Sequence, residues 1–92
     1  MKLEIISPEA VLLEADVSSV SVPGVNGEFQ MLENHAPIVS VLKEGFVKFE
    51  GANPQFNDEV KSKFTQTDGK WQLAITSGTL EMKNNKVIIL AD

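Results

Sequence analysis

Apolar and polar residues alternate along most of this chain with the period of two that a half-buried strand requires. Leu3 and Ile5 hold one phase and Lys2 and Glu4 the other, which predicts a first strand over Lys2–Ile6, ended by Ser7-Pro8-Glu9. Val11–Ala15 is apolar enough for a strand or a buried turn of helix. The β-branched, serine-interleaved run Val17–Val22 that follows favours extended chain, so two strands split near Asp16 are expected. Ile38–Leu42 comes directly after Pro37, which a helix would accept in its first turn, yet the run is β-branched and predicts a strand. Lys43-Glu44-Gly45 reads as a turn. Phe46–Glu50 resumes the alternation, with Val47 and Phe49 on one face and Phe46, Lys48 and Glu50 on the other.

Turn chemistry divides the rest. Gly51-Ala52-Asn53-Pro54-Gln55 predicts a loop, because glycine, asparagine and proline gather there. Val60–Thr65 and Trp71–Ile75 flank Asp68-Gly69, and Leu80–Met82 and Val87–Leu90 flank Asn84-Asn85, so two further hairpins are expected. The hairpin that organises the chain comes earlier, where Asn26-Gly27 suits the central positions of a tight turn between Val20–Val22 and Glu28–Leu32. His35-Ala36-Pro37 then stops the second strand, since proline restricts the residue before it and cannot donate to a ladder. The expected result is a rigid tip carrying Glu28, Phe29, Met31 and His35 close together.

Short strands separated by turn pairs, with no convincing amphipathic helix, predict an all-β fold: an antiparallel β-sandwich of two sheets with about ten short strands. At 92 residues the chain suits one domain, residues 1–92, with one core. The alternation assigns Leu3, Ile5, Val20, Val22, Trp71, Leu73, Ile75, Leu80, Met82, Val87 and Ile89 to that core. Each large aliphatic member contributes roughly 1.5–3 kcal/mol on full burial.

Charge and composition narrow the function. A formal net charge of −5 repels phosphate backbones and anionic lipid, and the lysines are scattered among acids without forming a basic patch. Neither nucleic-acid binding nor direct lipid insertion is therefore expected. The absence of cysteine removes disulfides, thiolate metal sites and thiol nucleophiles, and suits a reducing cytosol. The longest wholly apolar run, Val87–Ala91, is far shorter than a membrane span, and the start Met1-Lys2-Leu3-Glu4 lacks the apolar core of an export signal.

Glu28 and His35 invite an acid–base reading, because imidazole titrates near neutrality and a carboxylate can orient it. The plainer reading is a polar rim. One histidine, no cysteine and no serine-centred elbow leave no nucleophilic set, and scattered acids do not make a metal site. Gly24–Gly27 lacks the lysine and hydroxyl of a phosphate loop and leads into a strand. No catalytic residue, metal or cofactor is expected. Phe29, Met31 and Leu32 cannot all face one core from a strand, so either they cap an end of the sandwich or one side of this hairpin offers an apolar contact surface.

At Val22-Pro23-Gly24, Gly27-Glu28-Phe29, Leu32 and His35-Ala36-Pro37, and again at Ser77-Gly78, Leu80-Glu81 and Val87–Asp92, the chain resembles the epsilon-subunit family of F-type ATP synthases. The resemblance starts at Leu3 and keeps the family's order over most of the chain. It implies a non-catalytic central-stalk subunit, a sandwich of two five-stranded sheets that binds the gamma subunit and meets the polar loops of the membrane c-ring. Position by position it places Glu28, Phe29, Met31 and His35 toward the ring, and an apolar patch of Leu12, Val39 and Phe46 toward gamma. It further implies a peripheral location on the cytoplasmic face of the bacterial inner membrane. Three departures are visible: Gln30 stands where a glycine usually follows, Glu33-Asn34 replaces a pair such as Pro-Gly, and residues 51–68 exceed the usual connection. Most members continue past the position of Asp92 into a two-helix tail, and the ATP-binding and inhibitory roles of that tail are not assigned here. The alternative is a generic β-sandwich adaptor using the Gly27–Pro37 hairpin to bind another protein, with a small enzyme a distant third.

Overall fold

The computed structural model describes the backbone of residues 1–92 and the side chains of all but residues 52 and 53. Nine strands follow one another: β1 (Lys2–Ile6), β2 (Val11–Gly24), β3 (Gly27–Leu32), β4 (Ile38–Leu42), β5 (Gly45–Phe56), β6 (Phe64–Thr67), β7 (Lys70–Ile75), β8 (Gly78–Lys83) and β9 (Lys86–Ala91). A single 3₁₀ turn, Lys61–Lys63, precedes β6. The architecture is the expected β-sandwich. β4, β8, β9 and β1 build one layer with the first half of β2, while β3, β7 and β6 build the other with its second half, and β5 runs beside β2 through both.

The fourteen-residue β2 is one strand, not the two expected on either side of Asp16. Its buried positions explain the misreading. Leu13, Ala15 and Val17 point inward in the first half, and Val20 and Val22 in the second, so the inward phase slips by one residue between Val17 and Val20. The ladder to β5 shifts register at Glu14/Asp16 and again at Val17/Ser19, and such irregularities bend a strand and re-aim its side chains. Gly51 makes this contact possible, because a Cβ there would overlap the Asp16 carbonyl oxygen. For the same reason the predicted loop over Gly51–Gln55 is absent: β5 continues to Phe56, paired to β2 as far as Leu13.

Two other expectations need correction. The strand foreseen at Val60–Thr65 starts only at Phe64, because Lys61–Lys63 wind into the 3₁₀ turn. The sheet is also not wholly antiparallel, since β1 and β9 pair in parallel with Leu3 opposite Val87 and Ile5 opposite Ile89. All four of those side chains are fully buried. The hairpins at Asp68-Gly69 and Asn84-Asn85 form as expected, with all four turn residues at positive φ.

One core fills the sandwich, and ten of the eleven residues assigned to it are buried. Trp71 is the exception: it is half-buried at the margin, stacked edge-on to Phe56 with ring centroids 4.8 Å apart. Phe56 also meets Phe64 at 4.7 Å, so an aromatic cluster pins the long 51–68 segment to the body. Leu13, Met31, Leu42, Val47, Phe49 and Phe64 join the core beyond the assigned set. Leu73 is among the buried aliphatics, and Leu73→Ala is expected to lower the unfolding free energy by about 2–5 kcal/mol in urea titration, with an unchanged denaturant slope.

Candidate interaction surfaces

The β2–β3 hairpin turns at Val25 and Asn26, because Gly24 pairs with Gly27 across the ladder. The turn therefore sits one residue earlier than the Asn26-Gly27 pair suggested. Asn26 keeps negative φ, and the positive φ falls on Gly27 at 124°. From there β3 alternates strictly. Phe29 and Met31 face inward and Glu28, Gln30 and Leu32 face outward.

Met31 is 0% exposed, so it packs in the core and cannot touch a partner, contrary to its place among the ring-facing candidates. Phe29 is half-buried and packs on the same core. Of the two open readings of Phe29, Met31 and Leu32, the structure favours capping: Phe29 and Met31 seal the interior, and Leu32, 57% exposed, is left as a single outward apolar residue. β3 pairs with β2 alone and leaves its other edge unpaired in the sheet.

Glu28 and His35 do not meet in one tip. Glu28 lies opposite Pro23 at the turn end of β3, and Leu32 lies opposite Ser19 at the far end. Four residues of strand span about 13 Å, and His35 lies beyond a further turn through Glu33 and Asn34. The Glu28 carboxylate is instead 3.4 Å from Lys48 Nζ on β5, an exposed pair worth about 0–1 kcal/mol. The exposed imidazole of His35 makes a 2.7 Å hydrogen bond from Nδ1 to the Ala36 carbonyl. A carbonyl can only accept, so Nδ1 carries the hydrogen and Nε2 is the nitrogen left to face outward. No acid–base couple is assembled, and among the described residues no three histidine, cysteine, aspartate or glutamate side chains gather as metal ligands.

The Leu12, Val39 and Phe46 set does not form one patch either. Leu12 is half-buried in a depression walled by Ser7–Ala10 on one side and Asn57, Glu59, Val60 and Lys63 on the other. Phe46 lies on the outer face of β5, opposite Ala74 of β7. Val39 belongs to the other layer, where it is 77% exposed on β4. There it has neighbours that the sequence reading did not single out. Across β4, β8 and β9, Val39 aligns with Glu81 and Ile88, and Val41 with Thr79 and Leu90. Val39, Ile88 and Leu90 line a shallow groove, and Val41 and Leu90 are each at least half exposed. The signal was present: Ile38–Leu42 and Val87–Ala91 are apolar at both phases, and a strand in a two-layer sandwich can bury only one.

Comparison with known proteins decides the family. The model of the family described as "ATP synthase, Delta/Epsilon chain, beta-sandwich domain" matches residues 1–61. The chain belongs to this family. Among curated relatives, the ATP synthase epsilon chain of Aquifex aeolicus is 36% identical over 92 residues, covering 100% of this chain and 58% of the relative. That of Campylobacter curvus is 37% identical over 92 residues, covering 100% of this chain and 60% of the relative. The chain thus spans a little under two thirds of the length of these epsilon chains. A chain in the cryo-EM structure of the Tetrahymena thermophila mitochondrial ATP synthase central stalk and c-ring shares the fold, with a TM-score of 0.65 at 18% identity, covering 99% of this chain and 62% of that one.

Within the family's β2–β3 hairpin, Gly27 is the residue the turn depends on for conformation alone. A Cβ at Gly27 would meet nothing within 4 Å. Gly27→Ala is therefore expected to destabilise by about 1–3 kcal/mol through backbone strain without any steric clash. Thermal unfolding of the variant measures this, and the exchange cross-peaks of Val25 to Phe29 should shift most.

Proposed function

We propose that this chain is the β-sandwich of a rotor subunit of an F-type ATP synthase, joining the gamma subunit to the c-ring so that rotation of the ring reaches the catalytic head without slip. The observation that carries the reading is the end-to-end match of all 92 residues to ATP synthase epsilon chains. The physical features agree with it. A coupling element needs stiffness and contact area, and a sandwich closed by tight turns around one core supplies both. In this reading the subunit makes and breaks no bond.

Glu28, on the turn end of β3, and His35, in the loop beyond its other end, face the polar loops of the ring as two separate spots, with Phe29 half-buried on the core beside Glu28. Glu28 can exchange its Lys48 partner for a basic ring residue at little cost, because an exposed pair mainly sets orientation. The apolar outer face of β4, β8 and β9, headed by Val39, faces gamma, while Phe46 and Leu12 lie on separate contacts. The subunit sits peripherally on the cytoplasmic face of a bacterial inner membrane. No helix among the described residues is long and apolar enough to cross a membrane.

Capture assays with purified gamma and with ring-containing membranes test the reading, and retention by both is expected. Retention by neither would favour an adaptor for some other protein. Glu28→Lys combined with His35→Ala is expected to weaken retention on ring-containing membranes about tenfold, equivalent to about 1.4 kcal/mol, and to lower ATP-driven proton pumping. Val39→Glu should impair capture by gamma and leave retention by the ring unchanged. Normal pumping in the double variant would remove Glu28 and His35 from the contact.

A further inference from the structure

The turn between β8 and β9 joins three distant segments through one residue. Asn84 and Asn85 are both left-handed, at φ 52° and 58°, a pair of conformations that glycine would also serve. Asn85, however, brings a side-chain amide. Its Oδ1 accepts a 2.8 Å hydrogen bond from the N–H of Asn34, 51 residues away in sequence. Its main-chain carbonyl accepts the Lys2 N–H at 3.0 Å. The β8–β9 turn, the start of β1 and the loop between β3 and β4 are thereby fastened together.

Asn34 is itself left-handed, at φ 61°. A residue with a Cβ holds that conformation at a cost, so an outside partner for its N–H helps to select it. Glu33 on one side of it is held by the Met1 amino group at 2.9 Å. On the other side, the His35 N–H closes the turn onto the Leu32 carbonyl at 3.2 Å. His35 follows directly and is exposed. The direction in which its imidazole is presented therefore depends on the backbone that Asn85 holds, together with the ring's own Nδ1 hydrogen bond to the Ala36 carbonyl.

We infer that Asn85 is a positioning residue for His35, acting from the opposite layer of the sandwich through the Asn34 N–H. The inference rests on the reading of His35 as a ring-facing residue. A loop that samples several conformers binds with its affinity reduced by the fraction that is competent, and the Asn85 amide narrows that set before the partner arrives. The matching partner is a polar protein loop offering a hydrogen-bond acceptor or donor to Nε2.

Two substitutions separate the side chain from the turn it occupies. Asn85→Gly removes the acceptor and keeps the left-handed backbone, whereas Asn85→Asp keeps an acceptor oxygen at the same reach. In the 92-residue chain, hydrogen exchange at the Asn34 amide is expected to quicken about three- to tenfold in Asn85→Gly, in line with loss of one hydrogen bond. The Leu80 and Ile89 amides should not change. Retention on ring-containing membranes should fall about threefold or more, and Asn85→Asp should restore both readings. Unchanged exchange at Asn34, equal acceleration at Leu80 and Ile89, or full membrane retention despite a loosened Asn34 would each overturn the inference. Full retention of His35→Ala would instead sink the ring-facing reading beneath it, while the exchange result at Asn34 would stand.

Discussion

β2 has to serve two layers at once, and the rest of the molecule is arranged around how it does so. Its first half lies against β1 and its second against β3, both along the same side, so β1 and β3 follow each other end to end. The strand must turn its buried phase from Leu13, Ala15 and Val17 to Val20 and Val22 on the way. It achieves this by register slips against β5, where the missing side chain of Gly51 lets the two backbones approach. A uniform ladder would keep one phase throughout and expose half of the apolar set.

From that arrangement the surfaces follow. Setting β1 and β3 in line places Met1 beside Glu33, and the parallel insertion of β9 next to β1 brings Asn85 beside Lys2 and Asn34. The loop bearing His35 is thus tied at its root to the opposite layer. Glu28 stays at the other end of β3, on the turn, with Lys48 as its neighbour. The edge strand separates the two polar groups and holds each in a fixed place, which suits contact with an extended partner better than joint chemistry at one point.

The outer faces of the two layers differ in kind. On the β4–β8–β9 layer, Val39, Val41 and Leu90 stand exposed with Thr79 and Glu81 between them. The other layer presents Glu28, Gln30, Lys48 and Glu50, with Phe46 and Leu32 as single apolar residues among them. Scattered apolar side chains are ordinary on a protein surface, whereas adjoining rows of them mark a contact. This contrast gives the proposed gamma and ring contacts different physical characters, one apolar and one polar.

The sequence by itself determined the strands, because period-two alternation and turn residues act over a few neighbours. It placed β1, β3, β4, β7, β8 and β9 within a residue or two, named ten buried core residues, and located the turns at Asp68-Gly69 and Asn84-Asn85. Its family pattern, centred on Gly27-Glu28-Phe29 and His35-Ala36-Pro37, was also legible. Pairing was not. Whether Gly51–Gln55 loops out or continues β5 depends on β2 lying alongside, and whether Met31 is a contact or a core residue depends on which face of β3 meets the other layer. The tertiary structure alone decided that Glu28 and His35 stand apart, that Leu12, Val39 and Phe46 fall on separate surfaces, and that Asn85 reaches Asn34. Local pattern fixes the phase of each strand, but which strands become neighbours is a contest among long-range contacts that no short window of residues contains.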